Sequence, residues 1–556
     1  MRNTLLTLAA SGLSAASAFA GFVTSEPSYV LPAASSNYTF TPVVTVGDYV
    51  QLTGGAPTAR FAMVGIPDAM GLYKDPVTQE NILFLAHELG GTTLTTPVFG
   101  GTALRGAWVS RYVLDFNGGV VSVTSGNVAH GALFNENTLL RATPPDASVV
   151  SDVNGVNSFN RFCSGAFAGP AQGMDRPMFL TNEESGPSFG GNYSTRGSQS
   201  VAIIDGKMHM LPDLGSIPRE TTVVMPRRDA ITAIISTEDD GGDSAIYLYV
   251  GQKQRRSSDV LAKNGLVDGK VYVLRGVGVD AGKTEATFNT ASGTVQVGWA
   301  EIVGAGAMTD VQLKAAALER GSFQFVRVED AEFDPVAPTR TMFVASTGGS
   351  TVNRLGRLYK LNFNPTNPAA NGTMEMIYNA DQIITPGGIY AGTTTSGFYN
   401  NTGTAAGNTT VLLPNGIDYP VSVDNIAVTA TTIVICEDRN SPADAVFSRY
   451  GRNGGVWTLD RNNNYAAKYQ GNFNYAYVNG REGAARTAGL WEASGVIDAS
   501  SMFGAGTFLI NVQAHGASPS QDRSNISIPT GGTYSTTLAN SLFAEDGQVI
   551  LMKVIP

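Results

Sequence analysis

Cysteine, histidine and charge are scarce in this chain. Its 556 residues include two cysteines and four histidines, and Asp, Glu, Lys and Arg together make up 15% of the total. Long amphipathic helices laced with charge are therefore not expected. The formal net charge is −10, so the chain lacks the excess of basic residues that nucleic-acid binding requires. This charge argues against a nucleic-acid partner and favours metal cations as ligands.

Long hydrophobic runs are also missing beyond the N-terminus. Residues 1–20 combine Arg2, an apolar stretch and the sequence Ala18-Phe19-Ala20, which is the pattern of a secretory signal peptide. This stretch is too short to span a bilayer, and no later segment is long and apolar enough to do so. We therefore expect a signal peptide over 1–20, a periplasmic or extracellular protein, and no transmembrane segment.

Short strand-like segments fill most of the remaining sequence. Runs of Val, Ile, Thr, Tyr and Phe alternate with Gly, Asn, Asp and Pro clusters, and the chain has 64 glycines, which is typical of all-β proteins. Six of these runs are alike, because each passes from apolar to polar residues at the same relative place. They are ILFLAHE ending at Glu88, PMFLTNEE at Glu184, TAIISTEDD at Asp240, TMFVASTGG at Gly349, TIVICEDRN at Asn440 and GTFLINVQAH at His515.

Further strand-like segments accompany several of these six runs. IPDAMGLYKDP, RVEDAEFDPV and SVDNIAVTA come before three of them, and YLYVG, GRLYKLNF and GGVWTLD follow. Three or four short antiparallel strands in each repeated unit predict a β-propeller, and six units predict six blades. We therefore expect an all-β, six-bladed β-propeller with loop and short helical insertions, forming a single domain over 21–556.

The polar strand ends predict a site at one mouth of the propeller channel. Equivalent strand ends would meet there, and carboxylates from different blades would lie close together. Like charges at such distances are unstable without cations, so a multi-metal site is the expected solution. The alternative is that these are ordinary turn residues, since Asp, Asn and Gly favour turns.

The two cysteines leave several interpretations open. In an exported protein, Cys163 and Cys436 favour one disulfide. Cys163 could instead be a small buried apolar residue, or a thiolate ligand, which suits a softer transition metal while carboxylates suit calcium. Cys436 lies within the strand-like TIVICED segment, which favours a place in the core.

The ordered motifs resemble a known family. VGIPDAMGLY, ILFLAHELG, FNRFCSG, FLTNEESG, RVEDAEFDP, NRLGRLYKL and VDNIAV occur in this order, and the resemblance runs from about Val64 to His515. They are similar to the PhoX-type alkaline phosphatases, which are exported six-bladed propellers. The resemblance implies hydrolysis of small-molecule phosphate monoesters at iron and calcium ions bound at one end of the channel. We also expect a monomer.

The resemblance also implies roles for individual residues. Cys163 is the implied thiolate ligand, and Glu238 and Glu329 are the implied glutamate ligands of iron. Arg327 is implied to contact the substrate phosphate, with His87 as a second catalytic candidate. The remaining candidates are the metal ligands Glu88, Glu184, Asp424 and Asp438, and Asn425 for substrate binding.

Two other functions are compatible with the same fold. One is a calcium-stabilised propeller that binds a partner without catalysis. The other is a propeller hydrolase of the lactonase type, which uses a single calcium and no thiolate. A joint site of Cys163, Glu238, Glu329 and Arg327 would distinguish the phosphatase from both.

Overall fold

The structure is a computed structural model of the chain. It describes residues 21–130, 132–135, 158–185, 194, 196–288, 293–381, 419–438, 447, 454–474, 491–517 and 542–555. The predicted signal peptide at 1–20 and the predicted strand end at Asn440 lie outside the described residues. Among the described residues, no helix is long and apolar enough to cross a membrane.

Four-stranded antiparallel units make up most of the fold, and we number them in chain order. Unit 1 contains β5 (Pro67–Lys74), β6 (Asn81–His87), β9 (Trp108–Asn117) and β10 (Val120–Val128). Unit 2 contains β12 (Phe162–Ala168), β13 (Met178–Glu183), β14 (Ser200–Ile204) and β15 (Lys207–Met210), with β11 (Ala132–Asn135) parallel to its edge. Two small ribbons, β3–β4 (Tyr49–Gln51, Arg60–Ala62) and β7–β8 (Leu94–Thr95, Leu104–Arg105), flank them.

Units 3 and 4 share one nine-stranded sheet. Unit 3 contains β16 (Arg219–Val224), β17 (Ile231–Glu238), β18 (Ile246–Gln252) and β19 (Lys270–Gly276). Unit 4 contains β21 (Val328–Phe333), β22 (Thr341–Ser346), β23 (Arg357–Asn362) and β24 (Gly372–Asn379). Their outer edges are joined by β20 (Thr294–Ile302), which pairs with β19 and β24.

Units 5 and 6 incorporate the N-terminal strands. Unit 5 contains β25 (Val423–Val428), β26 (Thr432–Glu437), β27 (Gly455–Asp460) and β28 (Ala466–Phe473), with β1 (Val30–Pro32) at its edge. Unit 6 contains β29 (Glu492–Asp498), β30 (Thr507–Ala514), β31 (Asp546–Val554) and β2 (Tyr38–Thr45). The pairing of β2 with β31 joins the two ends of the described chain in one sheet, so the last strand closes the molecule.

The apolar core is divided among the contacts between neighbouring units. One cluster joins Phe84 of unit 1 to Phe179 of unit 2, and corresponding clusters join each later unit to the next. A final cluster joins Leu509 of unit 6 to Leu85 of unit 1. Second strands such as β6 are therefore buried on both faces, which explains their nearly continuous apolar sequences.

The first strands of the units lie side by side in a closed order. Each first strand contacts the first strand of the next unit, in the order β5, β12, β16, β21, β25 and β29, and β29 contacts β5. The sheets therefore surround a common axis in a propeller-like, all-β arrangement, and the first strands line its centre.

Helices are short and peripheral among the described residues. They are α1 (Val260–Lys263), α2 (Asp310–Glu319) and α3 (Ser500–Phe503). The helix α2 begins with a reciprocal capping box between Thr309 and Gln312, and this satisfies amide groups that the first turn leaves unpaired.

Candidate functional site

A repeated irregularity in strand pairing builds the site. In units 1 to 5, the first residue of the first strand faces the last residue of the second strand, and a bulge follows at once. A bulge leaves a residue out of the ladder and re-aims its side chain. The second residues of these five strands are Asp68, Cys163, Glu220, Glu329 and Asp424.

These side chains meet residues that come directly after the second strands. Glu88, Glu184, Asp239 and Asp438 each follow the last residue of β6, β13, β17 or β26. Unit 6 contributes Glu492, at the start of β29, and His515, directly after β30. The resulting cavity of about 350 Å³ is lined by Glu88, Arg161, Cys163, Glu184, Glu220, Asp239, Arg327, Glu329, Asp424, Asp438, Glu492 and His515.

Negative charge dominates this cavity. Its lining has eight carboxyl groups against two guanidinium groups and one imidazole. Burial, together with neighbouring carboxylates, raises the pKa of Glu220 to about 7 and that of Glu492 to about 8. The pKa values of Glu184 and Glu329 are also raised, mainly by burial. So many carboxyl groups stay ionised together at neutral pH only if cations bind among them.

Cys163 lies at the centre of two groups of possible metal ligands. It combines with Asp68 and Glu88 in one group and with Glu184 and Glu220 in the other, and in each group the ligand atoms lie within 4.8 Å of one another. The Cys163 thiol donates to Asp68 Oδ2 at 3.1 Å, and burial raises its pKa well above the usual value. A thiolate ligand must be deprotonated, and a bound metal would lower this pKa.

The structure also answers the question of the disulfide. Cys163 and Cys436 are both free and buried. Cys436 belongs to the apolar cluster between units 5 and 6. The disulfide alternative is therefore wrong for this structure, and Cys436 has the core position that its sequence context favoured.

Unpaired oxygen atoms are a further sign of a cation site. Asp68 Oδ1 and Asp424 Oδ1 are buried and have no hydrogen-bond partner within the described part of the chain. Most buried acceptors in proteins are satisfied by protein, water or ions. One sulfur with several carboxylate oxygens suits a transition metal together with calcium, so the residues fit the iron and calcium that the family resemblance implies.

Two arginines extend into the acidic lining. Arg327 Nη2 lies 2.7 Å from Glu329 and 3.0 Å from Asp438, while its Nε lies 3.2 Å from Asp239. Arg161 holds Glu88 through Nε at 2.7 Å and Glu184 through Nη2 at 2.8 Å.

Seven of the residues predicted from the sequence line this cavity. They are Glu88, Cys163, Glu184, Arg327, Glu329, Asp424 and Asp438. Of the four side chains expected to distinguish a phosphatase, Cys163, Arg327 and Glu329 therefore lie together, and Glu238 does not.

Glu238 faces away from the cavity. It is the last residue of β17, so it points to the opposite side from the next residue, Asp239. Its carboxylate accepts from the Ala245 amide at 3.1 Å and lies 3.4 Å from Lys314 Nζ. The structure thus surrounds Glu238 with groups outside the cavity.

His87 is the last residue of β6 in unit 1, just as Glu238 is the last residue of β17 in unit 3. Its Nδ1 lies 3.1 Å from the Gly65 carbonyl, which makes Nδ1 the donor, and its Nε2 lies 2.8 Å from Ser110 Oγ. The ring packs against Trp108, with centroids 4.6 Å apart. Burial lowers the pKa of His87 to about 3, so the imidazole is neutral at physiological pH.

Asn425 lies behind the lining. Its Nδ2 donates to Ser164 Oγ at 3.0 Å, and Ser164 Oγ donates to Glu220 Oε1 at 2.7 Å. Asn425 therefore orients Glu220 through Ser164, and it does not itself line the cavity.

Several cavity residues were missed in the sequence or given no role there. They are Arg161, Glu220, Asp239 and Glu492, and Asp68 was missed in the adjoining group of possible metal ligands. Asp68 is the second residue of β5 and belongs to the motif VGIPDAMGLY. Arg161 directly precedes β12 and belongs to the motif FNRFCSG. A search for a polar residue at the second position of each first strand would have found Asp68 and Glu220.

Comparison with known proteins supports the fold. No family model matches the chain, and no curated protein matches it either. A solved structure, Pseudomonas fluorescens PhoX in complex with vanadate, a transition state analogue, is similar to it with a TM-score of 0.59. The identity is 13%, and the match covers 95% of this chain and 98% of that one. The chain therefore has a PhoX-like propeller fold.

A second solved structure is much less similar. Chaetomium thermophilum Sqt1 bound to the N-terminus of the ribosomal protein L10 matches 82% of this chain and 86% of its own, with 9% identity. Its TM-score of 0.29 is too low to support any conclusion.

Proposed function

We propose that this protein is an exported, metal-dependent phosphatase that hydrolyses phosphate monoesters in the cavity described above. The observation that carries this proposal is the convergence of one thiol, a ring of carboxylates and two arginines at the axis of a PhoX-like fold. The structural neighbour was solved with vanadate, described as a transition state analogue. Phosphoryl-transfer sites combine metal cations with guanidinium groups around an anionic substrate, and this cavity has candidate ligands for the cations and two guanidinium groups.

The six units are, in this proposal, the blades of a six-bladed propeller. The closed order of first strands and the six apolar clusters between successive units support this count. The site then lies where all blades meet, and each blade contributes at least one polar group to it. Export through residues 1–20 and a monomeric state remain predictions from the sequence.

The proposed metal ligands differ from those expected from the sequence in two ways, because Glu220 replaces Glu238 and Asp68 is added. Cys163, with Glu184 and Glu220, would hold iron, and Glu329 would complete this side of the site. Asp68 and Glu88 adjoin the same sulfur, while Asp424 and Asp438 provide oxygen ligands for calcium. When bound, these ions supply positive charge to the phosphate and activate an oxygen nucleophile.

The chain itself positions the substrate. Arg327 is fixed by Glu329, Asp438 and Asp239, so its guanidinium group is oriented before substrate arrives. It would hold equatorial phosphate oxygens and balance their charge in the transition state. Ser164 and Asn425 keep Glu220 in place through their hydrogen bonds.

Hydrolysis of p-nitrophenyl phosphate tests this proposal directly. The secreted protein, loaded with iron and calcium, should hydrolyse the ester, and a chelator should abolish the activity until the metals are restored. Arg327→Gln should lower kcat/KM by about 100-fold or more. Metal-loaded protein without phosphatase activity, together with specific binding of another ligand, would instead support the non-catalytic binding propeller.

A further inference from the structure

Arg161 occupies the position in unit 2 that Arg327 occupies in unit 4. Each precedes the first residue of its first strand, and each has a left-handed backbone, with φ of 57° for Arg161 and 52° for Arg327. The carbonyl group of each accepts the amide of the residue after the second strand, Glu184 at 3.0 Å and Thr347 at 2.8 Å. The two side chains are therefore structural equivalents on two units separated only by unit 3.

The left-handed backbone at this position is not specific to the two arginines, because other units have it too. Ile66 and Ser422 have the same position in units 1 and 5, with φ of 49° and 53°. Such a conformation costs about 1–2 kcal/mol for a residue with a Cβ atom. What distinguishes units 2 and 4 is thus the side chain, since only these two place a guanidinium group at this position.

Arg161 also retains an unused donor. Its Nε and Nη2 are held by Glu88 and Glu184, whereas its Nη1 has no hydrogen-bond or ion-pair partner among the residues that the structure describes. Arg161 lines the cavity, and its side chain is 40% exposed. The two carboxylates therefore fix the plane of the guanidinium group while Nη1 remains available to a ligand.

The charge of the cavity makes this donor important for an anion. Carboxylates outnumber the basic side chains, so an anionic ligand is repelled except beside a cation. With Nε and Nη2 held by carboxylates, Arg161 can offer Nη1 to a phosphate oxygen in a charge-assisted hydrogen bond, and its guanidinium group stays charged at any physiological pH.

We propose that Arg161 and Arg327 together form a two-arginine binding site for a dianionic phosphate group. This inference rests on the proposed function and adds to it a second substrate-binding residue, which discriminates between phosphate monoesters and diesters. Two guanidinium groups favour the dianion of a phosphate monoester over the monoanion of a diester. Arg161 is then a second substrate-binding residue and determines the preference for monoesters.

The test measures phosphate binding separately from turnover. Inorganic phosphate is titrated calorimetrically into the metal-loaded protein, into Arg161→Gln and into Arg161→Lys. Loss of one charge-assisted contact should weaken phosphate binding by about 10- to 100-fold in Arg161→Gln. Arg161→Lys should recover part of the affinity. Arg111→Gln, which removes a surface arginine near Glu80, is the matched control and should bind like the wild type.

Kinetics with two esters complete the test. In Arg161→Gln, KM for p-nitrophenyl phosphate should rise more than kcat falls, and the preference over bis(p-nitrophenyl) phosphate should shrink. A purely structural role would lower metal content or melting temperature and leave phosphate affinity per loaded site unchanged. Unchanged phosphate affinity in both variants would overturn this inference alone. A wild type that neither binds phosphate nor hydrolyses the ester would overturn the proposed function with it.

Discussion

Glu220 and Glu238 belong to the same unit, yet they have different surroundings. Glu220 lines the cavity and belongs to a ligand group with Cys163, whereas Glu238 is fully buried beside Lys314 and the Ala245 amide. Glu220→Gln should therefore weaken metal binding by at least about 10- to 100-fold and remove most of the hydrolysis. Metal analysis and p-nitrophenyl phosphate assays on the purified variant measure both effects.

Glu238→Gln is the matched control for that experiment. It keeps the shape of the side chain and an acceptor oxygen for the Ala245 amide but removes the charge opposite Lys314. A loss of about 1–3 kcal/mol in unfolding free energy is expected, with metal content and activity retained. Loss of iron in Glu238→Gln, with normal loading in Glu220→Gln, would restore the assignment made from the sequence.

The strands themselves could be predicted far better than the direction of their side chains. The apolar runs that end at Glu88 and Glu184, and the segment IPDAMGLYKDP before the first of them, form strands close to the expected places. Side chains alternate between the two faces of a strand, however, so an error of one residue reverses an assignment. That is what separates Glu238 from Asp239. A single sequence can show the acid near the start of a strand, but it does not show the bulge that turns Glu220 inward. Cys163 was predicted because its motif FNRFCSG resembles one of the PhoX-type family.

In unit 4, a glutamate from outside the unit supplies the carboxylate that other units have at the end of their second strand. In units 2 and 5, Glu183 and Glu437 end the second strand and accept the amides of Asn160 at 3.0 Å and Val421 at 2.8 Å. Unit 4 has Ser346 at that place. The carboxylate comes instead from Glu285, which accepts from the Val326 amide at 2.7 Å.

Glu285 should therefore be essential for the stability of unit 4. It also accepts from Tyr359 Oη at 2.6 Å and from Ser346 Oγ at 2.9 Å, and it is 1% exposed. Glu285→Gln leaves several buried donors poorly paired, so the unfolding free energy should fall by about 2–5 kcal/mol in denaturant titrations. The exposed pair of Lys270 with Glu301 offers the control, since Glu301→Gln should leave the unfolding free energy almost unchanged. Equal effects of the two substitutions would contradict this role.

For the whole molecule, the crowded carboxyl groups predict how stability depends on pH. The pKa values of Glu220 and Glu492 are raised in the folded protein, to about 7 and about 8. Because these carboxyl groups hold their protons more tightly in the folded than in the unfolded protein, protonation stabilises the metal-free fold. This stabilisation is fully present below the unfolded pKa of about 4.5 and is lost as the pH rises through about 7 to 8. The melting temperature in a chelator should therefore fall between about pH 5 and about pH 9.

Calcium should reverse this trend. Ionised carboxylates bind cations, and a ligand that binds only the folded state stabilises it. The difference in melting temperature with and without calcium should thus grow with rising pH, as measured by differential scanning fluorimetry. A difference that is constant over this range would show that the cavity carboxylates do not hold calcium.

The proposed phosphatase site combines two kinds of metal ion around one thiol, so the metal content of cysteine variants is the decisive measurement. Wild type, Cys163→Ala and Cys436→Ala are compared by inductively coupled plasma mass spectrometry, with ester hydrolysis measured on the same samples. The wild type and Cys436→Ala should contain iron and calcium and be active, because Cys436 lies in the apolar core. Cys163→Ala should lose iron and activity. Calcium alone in an inactive wild type, or iron retained in Cys163→Ala, would rule out an iron site at Cys163.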